Sequence, residues 1–309
     1  MTDVKYMNLN GKIVPPEEAT LHILSPAVKY ACNVFEGIRG YWNDDQQDLY
    51  IFRLTEHLER IRYSMKVMRM DPIFDIDTLR DGILELIQAN GFKENTFIRL
   101  YAYVDEPDGD MTATGPVGMA IAAQPKASQV PLNKGWDVAV SSWARIADHS
   151  LPARIKCVAN YNNGRLALGQ VRADGYDNVI ILTQAGRVAE GAGACVFLVR
   201  NGVPVTPDAT SDILESVTRS TVLQLFQENM NLVPEVRSVG RTELYGAEEA
   251  FYCGTSYEIT PIASIDRMPV GDGSHGPVVT ELHRIFHAVV RGESNEHPEW
   301  LTPVYGGTS

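Results

Sequence analysis

Apolar residues recur at two spacings along the first 124 positions, and each spacing predicts one type of element. Short apolar runs that are typical of β-strands lie at 34–42, 49–52, 96–104 and 118–123. Apolar residues at every third or fourth position predict helices over about 55–68 and 76–90. Gly91 directly follows the second of these segments, where glycine commonly ends a helix.

The rest of the chain mixes strands and helices in a different order. Strands are predicted at 136–143, 179–183, 188–190, 196–199 and 249–253. Helices are predicted at about 161–173, 217–228 and 278–291. Asn201-Gly202 predicts a tight hairpin turn. Because strand runs and helix runs do not strictly alternate, the pattern favours an α+β fold with mixed or antiparallel sheets over a doubly wound fold.

The segment 125–133 is polar and contains prolines, and it predicts a linker between two domains. The chain has 309 residues, which is more than one average domain. We therefore expect a small N-terminal α/β domain over 1–124 and a larger C-terminal domain over 134–309.

The composition excludes several classes of protein. The formal net charge of −12 argues against nucleic acid or an anionic membrane as the main partner. No apolar run approaches the roughly 20 residues that a membrane span needs. The sequence does not begin with a basic segment followed by an apolar one, and its four cysteines form no Cys-x-x-Cys pair. These features predict a cytoplasmic protein, and no pattern of residues predicts a metal site.

Lysine is rare in this chain, with 8 lysines against 19 arginines, and Lys156 has unusual neighbours. Small and apolar residues stand on both sides of it. The pKa of a free lysine is about 10.4, and burial can lower it by several units. A neutral lysine can form a Schiff base with an aldehyde cofactor. The alternative is a lysine whose stem crosses a strand and whose head reaches water, and the local sequence alone favours that alternative.

Three further segments contain residues that are suited to charged groups. Residues 215–220 open a predicted helix with Ser216 as its N-cap, and the first amides of a helix can bind phosphate. Gly254 and the hydroxyl residues after it follow a strand, where they suit an oxyanion. Glu190 ends a strand among glycines, where a carboxylate could hold a protonated pyridine nitrogen. Each segment also has a simpler interpretation as a helix cap or a turn.

Seven segments occur in a characteristic order along the chain. They are Tyr30-Ala-Cys-Asn-Val-Phe-Glu-Gly-Ile-Arg, His57-Leu-Glu-Arg, Phe97-Ile-Arg, Lys156 with Asn160-Tyr161, Glu190-Gly-Ala-Gly, Ser216-Val-Thr-Arg and Gly254-Thr. Their order and spacing resemble class IV aminotransferases, the fold-type-IV pyridoxal-phosphate enzymes, and most closely the branched-chain amino-acid aminotransferases. The resemblance extends over nearly the whole chain. It implies a two-domain fold with the cofactor between the domains, and a homodimer or a higher even oligomer.

The resemblance also implies roles for the residues in these segments. Lys156 would hold pyridoxal 5'-phosphate covalently and shuttle a proton, Glu190 would pair with the pyridine nitrogen, and Tyr161 would hydrogen-bond the phenolic oxygen. The residues at the cofactor phosphate would be Arg60, Ser216, Val217, Thr218, Gly254 and Thr255. The residues at the substrate would be Tyr30, Phe35, Phe97, Arg99 and Ser256.

By the same resemblance, the reaction would move the amino group of a branched-chain or other hydrophobic L-amino acid to 2-oxoglutarate by a ping-pong mechanism. The chain departs from the usual pattern of these enzymes at Phe97, where they have tyrosine, and at Lys126, where they have an aromatic residue. It departs again at Ala194-Cys195, where Glu-Asn or a similar pair is usual, and at Ser216, where glycine is usual. These departures leave an (R)-selective amine transaminase or a D-amino-acid transaminase as the alternative. An aminodeoxychorismate lyase is the third candidate.

Overall fold

Two sheets form the framework of the chain, one in each of two units. The structure is a computed structural model that describes residues 4–128, 132 and 134–306. Unit 1 consists of Met1–Ala127, Ile155–Ala159 and Ala288–Ser309, and unit 2 consists of Ser128–Arg154 and Asn160–His287. The predicted domains, 1–124 and 134–309, and the linker between them stay a prediction. Residues 129–131 and 133 of that linker lie outside the described residues.

Strands outnumber α-helices in the described part of the chain. In chain order, the strands are β1 (Met7–Leu9), β2 (Lys12–Val14), β3 (Asn33–Asn43), β4 (Asp48–Phe52), β5 (Thr96–Val104), β6 (Val117–Pro125), β7 (Trp136–Ala144), β8 (Asn178–Leu182), β9 (Val188–Gly191), β10 (Cys195–Arg200), β11 (Val203–Thr206), β12 (Glu235–Val236), β13 (Glu249–Gly254), β14 (Glu258–Ile265), β15 (Met268–Pro269) and β16 (Leu301–Pro303). The α-helices are α1 (Pro26–Lys29), α2 (Leu54–Val67), α3 (Ile76–Asn90), α4 (Tyr161–Ala173), α5 (Val217–Asn229) and α6 (Pro277–Val290). Short 3-10 helices lie at Pro16–Glu18, Val158–Asn160, Arg241–Gly246 and Pro298–Trp300. Within the described residues, no helix combines the length and apolar character that a membrane span requires.

The sheet of unit 1 is antiparallel, and its strand order is β16-β4-β3-β5-β6-β1-β2. Helices α2 and α3 pack on one face of it, because their apolar residues recur at the helical spacing and form one stripe on each helix. The buried cluster under them includes Leu58, Ile61, Ile83 and Ile87 of the helices and Ile38, Ile98 and Leu100 of the strands.

The opposite face of the same sheet carries larger polar and aromatic residues. Side chains alternate between the two faces along a strand, so that Phe35, Gly37 and Arg39 of β3 point away from the helix-covered cluster. Their partners across β5 are Tyr101, Arg99 and Phe97, in that order. This face therefore brings together several residues to which the sequence assigns a function.

The sheet of unit 2 is mixed, with the order β12-β11-β10-β13-β14-β7-β8-β9 and with β15 paired to β14. The pairs β11–β12, β14–β7 and β7–β8 are parallel. Helix α5 packs its Phe226 against Phe197 and Phe251 of the central strands, whose rings stack with centroids 5.1 Å apart. Helix α4 packs Ala167 and Val171 against the β7–β8 side of the sheet.

The structure confirms the predicted α+β class and the longer helices. Helices α2 to α6 begin and end within about one residue of their predicted bounds. The Asp75 carboxylate caps α3 by accepting a hydrogen bond from the Thr78 amide at 2.7 Å, and Gly91 ends it with φ of 70°. The predicted hairpin turn joins β10 to β11, with positive φ at both Asn201 and Gly202.

Candidate active site

Lys156 lies beside β3, held there by both of its main-chain groups. Its carbonyl accepts a hydrogen bond from the Phe35 amide at 3.0 Å, and its amide donates to Ser64 Oγ at 3.2 Å. The next residue, Cys157, forms an antiparallel bridge with Val34. The short segment around Lys156 therefore lies along β3 and is joined to β3 and to Ser64 by main-chain hydrogen bonds.

The amine of Lys156 lies on the face of the sheet that carries Phe35. The distance from Lys156 Nζ to the centroid of the Phe35 ring is 4.9 Å. The residue as a whole is half-buried. An anchored main chain and an aromatic neighbour limit the positions that the amine can take.

A buried carboxylate, Glu36, organises the residues next to Lys156. Its side chain accepts two hydrogen bonds from Arg60, from Nε to Oε1 and from Nη2 to Oε2, each at 2.7 Å. The Nδ1 atom of His57 lies 2.7 Å from Oε2 of the same carboxylate. Burial by itself raises the pKa of Glu36, but the charge of Arg60 and the hydrogen bonds of Arg60 and His57 outweigh burial and lower that pKa to about 2.

The pKa of His57 is also lowered, first by burial, against the opposing effect of Glu36. The imidazole is therefore neutral at pH 7, and Nδ1 donates its hydrogen to the carboxylate, which can only accept. The cluster holds one buried negative charge against one guanidinium. This bidentate arrangement fixes the plane of the Arg60 guanidinium.

Helix α2 links this cluster to Lys156. His57, Arg60 and Ser64 are three, then four residues apart, which places them on one face of the helix. Ser64 Oγ donates to the Arg60 carbonyl at 3.0 Å and accepts from the Lys156 amide. The sequence singled out Arg60 through its motif, but it gave no role to Glu36, His57 or Ser64. Glu36 and His57 each lie in one of the recognised motifs, and that position was the only sign in the sequence of a role for them. Ser64 lies in no motif.

The predicted substrate residues of unit 1 lie together, with one exception. The Arg99 guanidinium carbon is 5.3 Å from the centroid of Phe35 and 4.9 Å from that of Phe97. A side chain at Gly37 would place its Cβ 3.0 Å from the Phe97 ring, so that glycine leaves room for this packing. Tyr30 instead follows α1 and is 43% exposed.

In unit 2, Glu190 is a buried carboxylate held by two donors. Its Oε1 lies 2.7 Å from Arg145 Nη2, and its Oε2 accepts from the Leu214 amide at 3.1 Å. Both charged side chains are less than a tenth exposed. Sequence reasoning missed Arg145, because the residue lies 45 positions from its partner and in no recognised motif.

The glycine-rich loop after Glu190 collects the other predicted residues of unit 2. A Cβ at Gly164 would lie 2.5 Å from the Ala192 carbonyl oxygen, so this glycine lets the first turn of α4 approach the loop. The ring of Tyr161, at the start of α4, lies 3.8 Å from the position that a Cβ of Gly193 would take. Gly254, at the end of β13, faces the same loop at Ala194.

Helix α5 begins three residues after Leu214. Ser216 caps it, since its hydroxyl accepts from the Arg219 amide at 3.3 Å. The amides of Val217 and Thr218 belong to the first turn, where helix amides have no intrahelical partner. Thr255 and Ser256 lie in the turn after β13, which is closed by a 3.0 Å hydrogen bond from the Tyr257 amide to the Gly254 carbonyl. Tyr161 and Gly254 therefore lie next to the glycine-rich loop that follows Glu190, and the segment that leads into α5 is joined to Glu190 by the Leu214 amide.

Replacing Glu36 by glutamine is expected to remove a pH-dependent part of the stability. The pKa of Glu36 is lowered from 4.5 to about 2 on folding, so the contribution of Glu36 to the free energy of unfolding is present above pH 4.5 and is lost as the pH falls toward 2. At pH 7 the free energy of unfolding of Glu36→Gln should be about 3 kcal/mol below that of the wild type, and the difference should vanish near pH 2. Urea unfolding across this pH range measures it.

Glu59→Gln, at an exposed position of the same helix, is the matched control, and its free energy of unfolding should equal that of the wild type at each pH. A Glu36→Gln variant whose unfolding free energy runs parallel to the wild type at every pH would contradict the assignment of the charge cluster.

Comparison with known proteins identifies the family of this chain. A family model described as "Amino-transferase class IV" matches residues 33–265. The chain is 36% identical over 308 residues to the branched-chain-amino-acid aminotransferase of Salmonella typhimurium, covering 97% of each. It is similar to the crystal structure of branched-chain amino acid aminotransferase from Thermobaculum terrenum in PLP form, with 42% identity, a TM-score of 0.93 and coverage of 98% of this chain and 99% of that chain.

A third relative is the T.th. branched-chain amino acid aminotransferase complexed with N-(5'-phosphopyridoxyl)-L-glutamate. It is 34% identical with a TM-score of 0.93, and the match covers 98% of this chain and 100% of that chain. The range matched by the family model contains every motif from Phe35 to Thr255, and the shared fold extends over both units. The resemblance inferred from those motifs is thereby confirmed, and the chain belongs to the class IV aminotransferases.

Proposed function

We propose that this chain is a pyridoxal-phosphate-dependent aminotransferase that moves the amino group of a branched-chain or other hydrophobic L-amino acid to 2-oxoglutarate by a ping-pong mechanism. The observation that carries the proposal is the anchored Lys156, whose amine lies against Phe35 and whose main chain is tied to the helix of Arg60. The relatives named above supply the class of amino donor, and the T.th. complex supplies a glutamate-derived ligand.

The donor groups of both units fit the chemistry of pyridoxal 5'-phosphate. The phosphate is a dianion that suits the Arg60 guanidinium and the first amides of α5 at Val217 and Thr218. Glu190 is a buried carboxylate of the kind that can accept a hydrogen bond from a protonated ring nitrogen. Lys156 has the primary amine that an aldehyde cofactor requires. Tyr161 and the hydroxyl of Thr255 are further candidates to hold the cofactor.

When bound, pyridoxal phosphate supplies the aldehyde that receives the amino group and a ring that withdraws the electron pair of the substrate Cα–H bond. Nζ of Lys156 acts as the base that removes the Cα proton and as the acid that returns a proton. The carboxylate of Glu190 keeps a negative charge at the ring nitrogen. Its contacts with Arg145 and the Leu214 amide hold the carboxylate in position.

The substrate would contact an apolar wall formed by Phe35 and Phe97. Both rings are buried to about the same degree, at 5% and 4% exposure, and they suit an aliphatic side chain. The amides of Thr255 and Ser256 would bind the substrate carboxylate. Because Phe97 has no hydroxyl, binding of the substrate carboxylate depends more on those amides than it would in an enzyme with tyrosine at this position.

A homodimer or a higher even oligomer is also proposed as the working form of the protein. Exposed apolar side chains are concentrated between residues 21 and 30 of unit 1, and a concentration of exposed apolar side chains commonly marks a contact with another chain. The exposed residues of this segment are Leu21, Ile23, Leu24, Val28 and Tyr30.

Borohydride reduction of the protein loaded with pyridoxal 5'-phosphate is expected to bleach its yellow colour and leave a pyridoxyl group on Lys156. Peptide mass spectrometry measures the position of the group. Lys156→Ala should show no such modification, and its turnover should fall by at least about 10²-fold to 10⁴-fold, because the proton-transferring amine is lost. Lys93→Ala, at an exposed lysine of unit 1, is the control and should behave as the wild type. A stable adduct on a different lysine would refute the assignment.

A panel of amino donors is expected to favour L-leucine over D-alanine and (R)-1-phenylethylamine when 2-oxoglutarate is the acceptor. The physical reason is the apolar wall of Phe35 and Phe97, combined with amides for one carboxylate. Initial rates at matched donor concentrations measure the preference. Faster turnover of D-alanine or of the amine than of L-leucine would support the alternative transaminases instead, and pyruvate release from aminodeoxychorismate would support the lyase.

A further inference from the structure

We propose that Arg145 is a positioning residue that couples the two ends of the cofactor site in unit 2, namely the carboxylate of Glu190 and the amino end of α5. This inference rests on the proposed aminotransferase function and adds a residue to it. The ligand concerned is a phosphorylated pyridine aldehyde, which has a ring nitrogen at one end and a phosphate at the other. Through Arg145, the affinity for the phosphate depends on the contacts made at the carboxylate.

Arg145 closes a ring of hydrogen bonds. Its Nη2 atom lies 2.7 Å from Oε1 of Glu190, and its Nε atom donates to the Asp212 carbonyl at 3.2 Å. The Leu214 amide completes the ring by donating to Oε2 of Glu190 at 3.1 Å. The guanidinium is planar and rigid, so two of its donors hold the carboxylate and the carbonyl at a fixed separation. Residues 212–214 are thus held at both ends by one ion pair.

This ring of hydrogen bonds is buried and is anchored to the sheet of unit 2. Arg145 directly follows β7, and its amide donates to the Leu182 carbonyl at the end of β8 at 2.7 Å. The side chains of Arg145 and Glu190 are each 7% exposed, and Ile213, between the two held positions, is also buried. A buried charge that loses its partner is costly, because water cannot take the place of that partner. The ion pair therefore resists rearrangement.

The backbone of the held segment is strained, which indicates that its position is imposed by its contacts. Asp212 has φ of 56°, in the left-handed region that is uncommon for residues other than glycine. Such a conformation persists where the surrounding contacts fix it. Here Arg145 binds the Asp212 carbonyl, and the Asp148 amide donates to the Asp212 carboxylate at 3.2 Å. Opening the ring of hydrogen bonds is therefore expected to let the segment relax.

The same segment leads directly into α5. Ser216 caps this helix two residues after Leu214, and the amides of Val217 and Thr218 in its first turn are those proposed to bind the phosphate. Two residues of chain span at most about 7 Å, so a displacement of Leu214 is passed on to the cap. Because the ring of hydrogen bonds fixes Leu214, it also fixes the first amides of the helix. The affinity for a phosphate there therefore depends on Arg145.

The test separates the charge of Arg145 from its bridging contact. Arg145→Lys keeps a positive group beside Glu190 but lacks the planar fork that also reaches the Asp212 carbonyl. Fluorescence titration of the cofactor-free, full-length protein measures its affinities for pyridoxal 5'-phosphate and for pyridoxal. The variant should lose about fivefold in affinity for the phosphorylated form, as expected for one hydrogen bond, and less than about twofold for pyridoxal. Without cofactor, amide hydrogen exchange at Leu214 should be at least about fivefold faster than in the wild type.

Arg154→Lys is the matched control, because Arg154 pairs with Glu215 at 3.1 Å near the same helix but at the surface, where ion pairs contribute little. It should match the wild type in both affinities and in exchange. Equal losses of affinity for the two compounds, or unchanged exchange at Leu214, would overturn the coupling and leave the aminotransferase function intact. Failure of the wild type to bind pyridoxal 5'-phosphate would overturn both.

A second variant keeps the test decisive if Arg145→Lys is poorly folded. The double variant Arg145→Met/Glu190→Gln opens the ring of hydrogen bonds without leaving an unpaired buried charge. The ratio of the affinity for pyridoxal 5'-phosphate to that for pyridoxal measures the contribution of the phosphate. This ratio should fall about fivefold in the double variant, and an unchanged ratio would contradict the coupling.

Discussion

The buried carboxylate of Glu36 is the interaction on which the arrangement of unit 1 depends. A charge with no exposed surface is stable only when it is paired, and here the pairing partners come from one face of α2. Satisfying Glu36 therefore fixes the helix against β3. The same helix holds the Lys156 amide through Ser64, so the guanidinium of Arg60 and the amine of Lys156 are positioned by one network. The free-energy cost of burying the charge is offset by the ion pair with Arg60 and by the hydrogen bonds from Arg60 and His57.

Unit 2 contains a second buried glutamate–arginine pair. Arg145 and the Leu214 amide bind the carboxylate of Glu190. Because Leu214 precedes Ser216, the cap of α5, by two residues, this contact connects the carboxylate to the amino end of the helix. A close approach of α4 also holds this region together, because Gly164 allows the first turn of α4 to pack against the loop that follows Glu190. In both units, functional groups are borne on segments whose main chain is hydrogen-bonded, which is how a site keeps its geometry before a ligand binds.

The sequence predicted the elements well and the supporting contacts poorly, for a physical reason. Helical spacing and capping are local, so α3 was predicted from Ile76 to Asn90 with its terminal glycine correct. The motifs singled out Lys156, Arg60 and Glu190 as candidate site residues. The partners of these residues were not predictable, because Arg145 and Ser64 are brought to them by long-range packing that leaves no local pattern. No local pattern indicates that Ile155–Ala159 groups with unit 1, because this grouping depends on a bridge between Val34 and Cys157.

The most direct test of this account is the affinity of the protein for pyridoxal 5'-phosphate and for pyridoxal, measured by fluorescence titration of the wild type and Glu36→Gln under conditions where both are folded. If Glu36 acts by aiming Arg60 at the phosphate, the variant should lose about tenfold in affinity for the phosphorylated form and less than about twofold for pyridoxal. An equal loss for both compounds, or no loss for either, would contradict the claim that this carboxylate positions the phosphate-binding arginine.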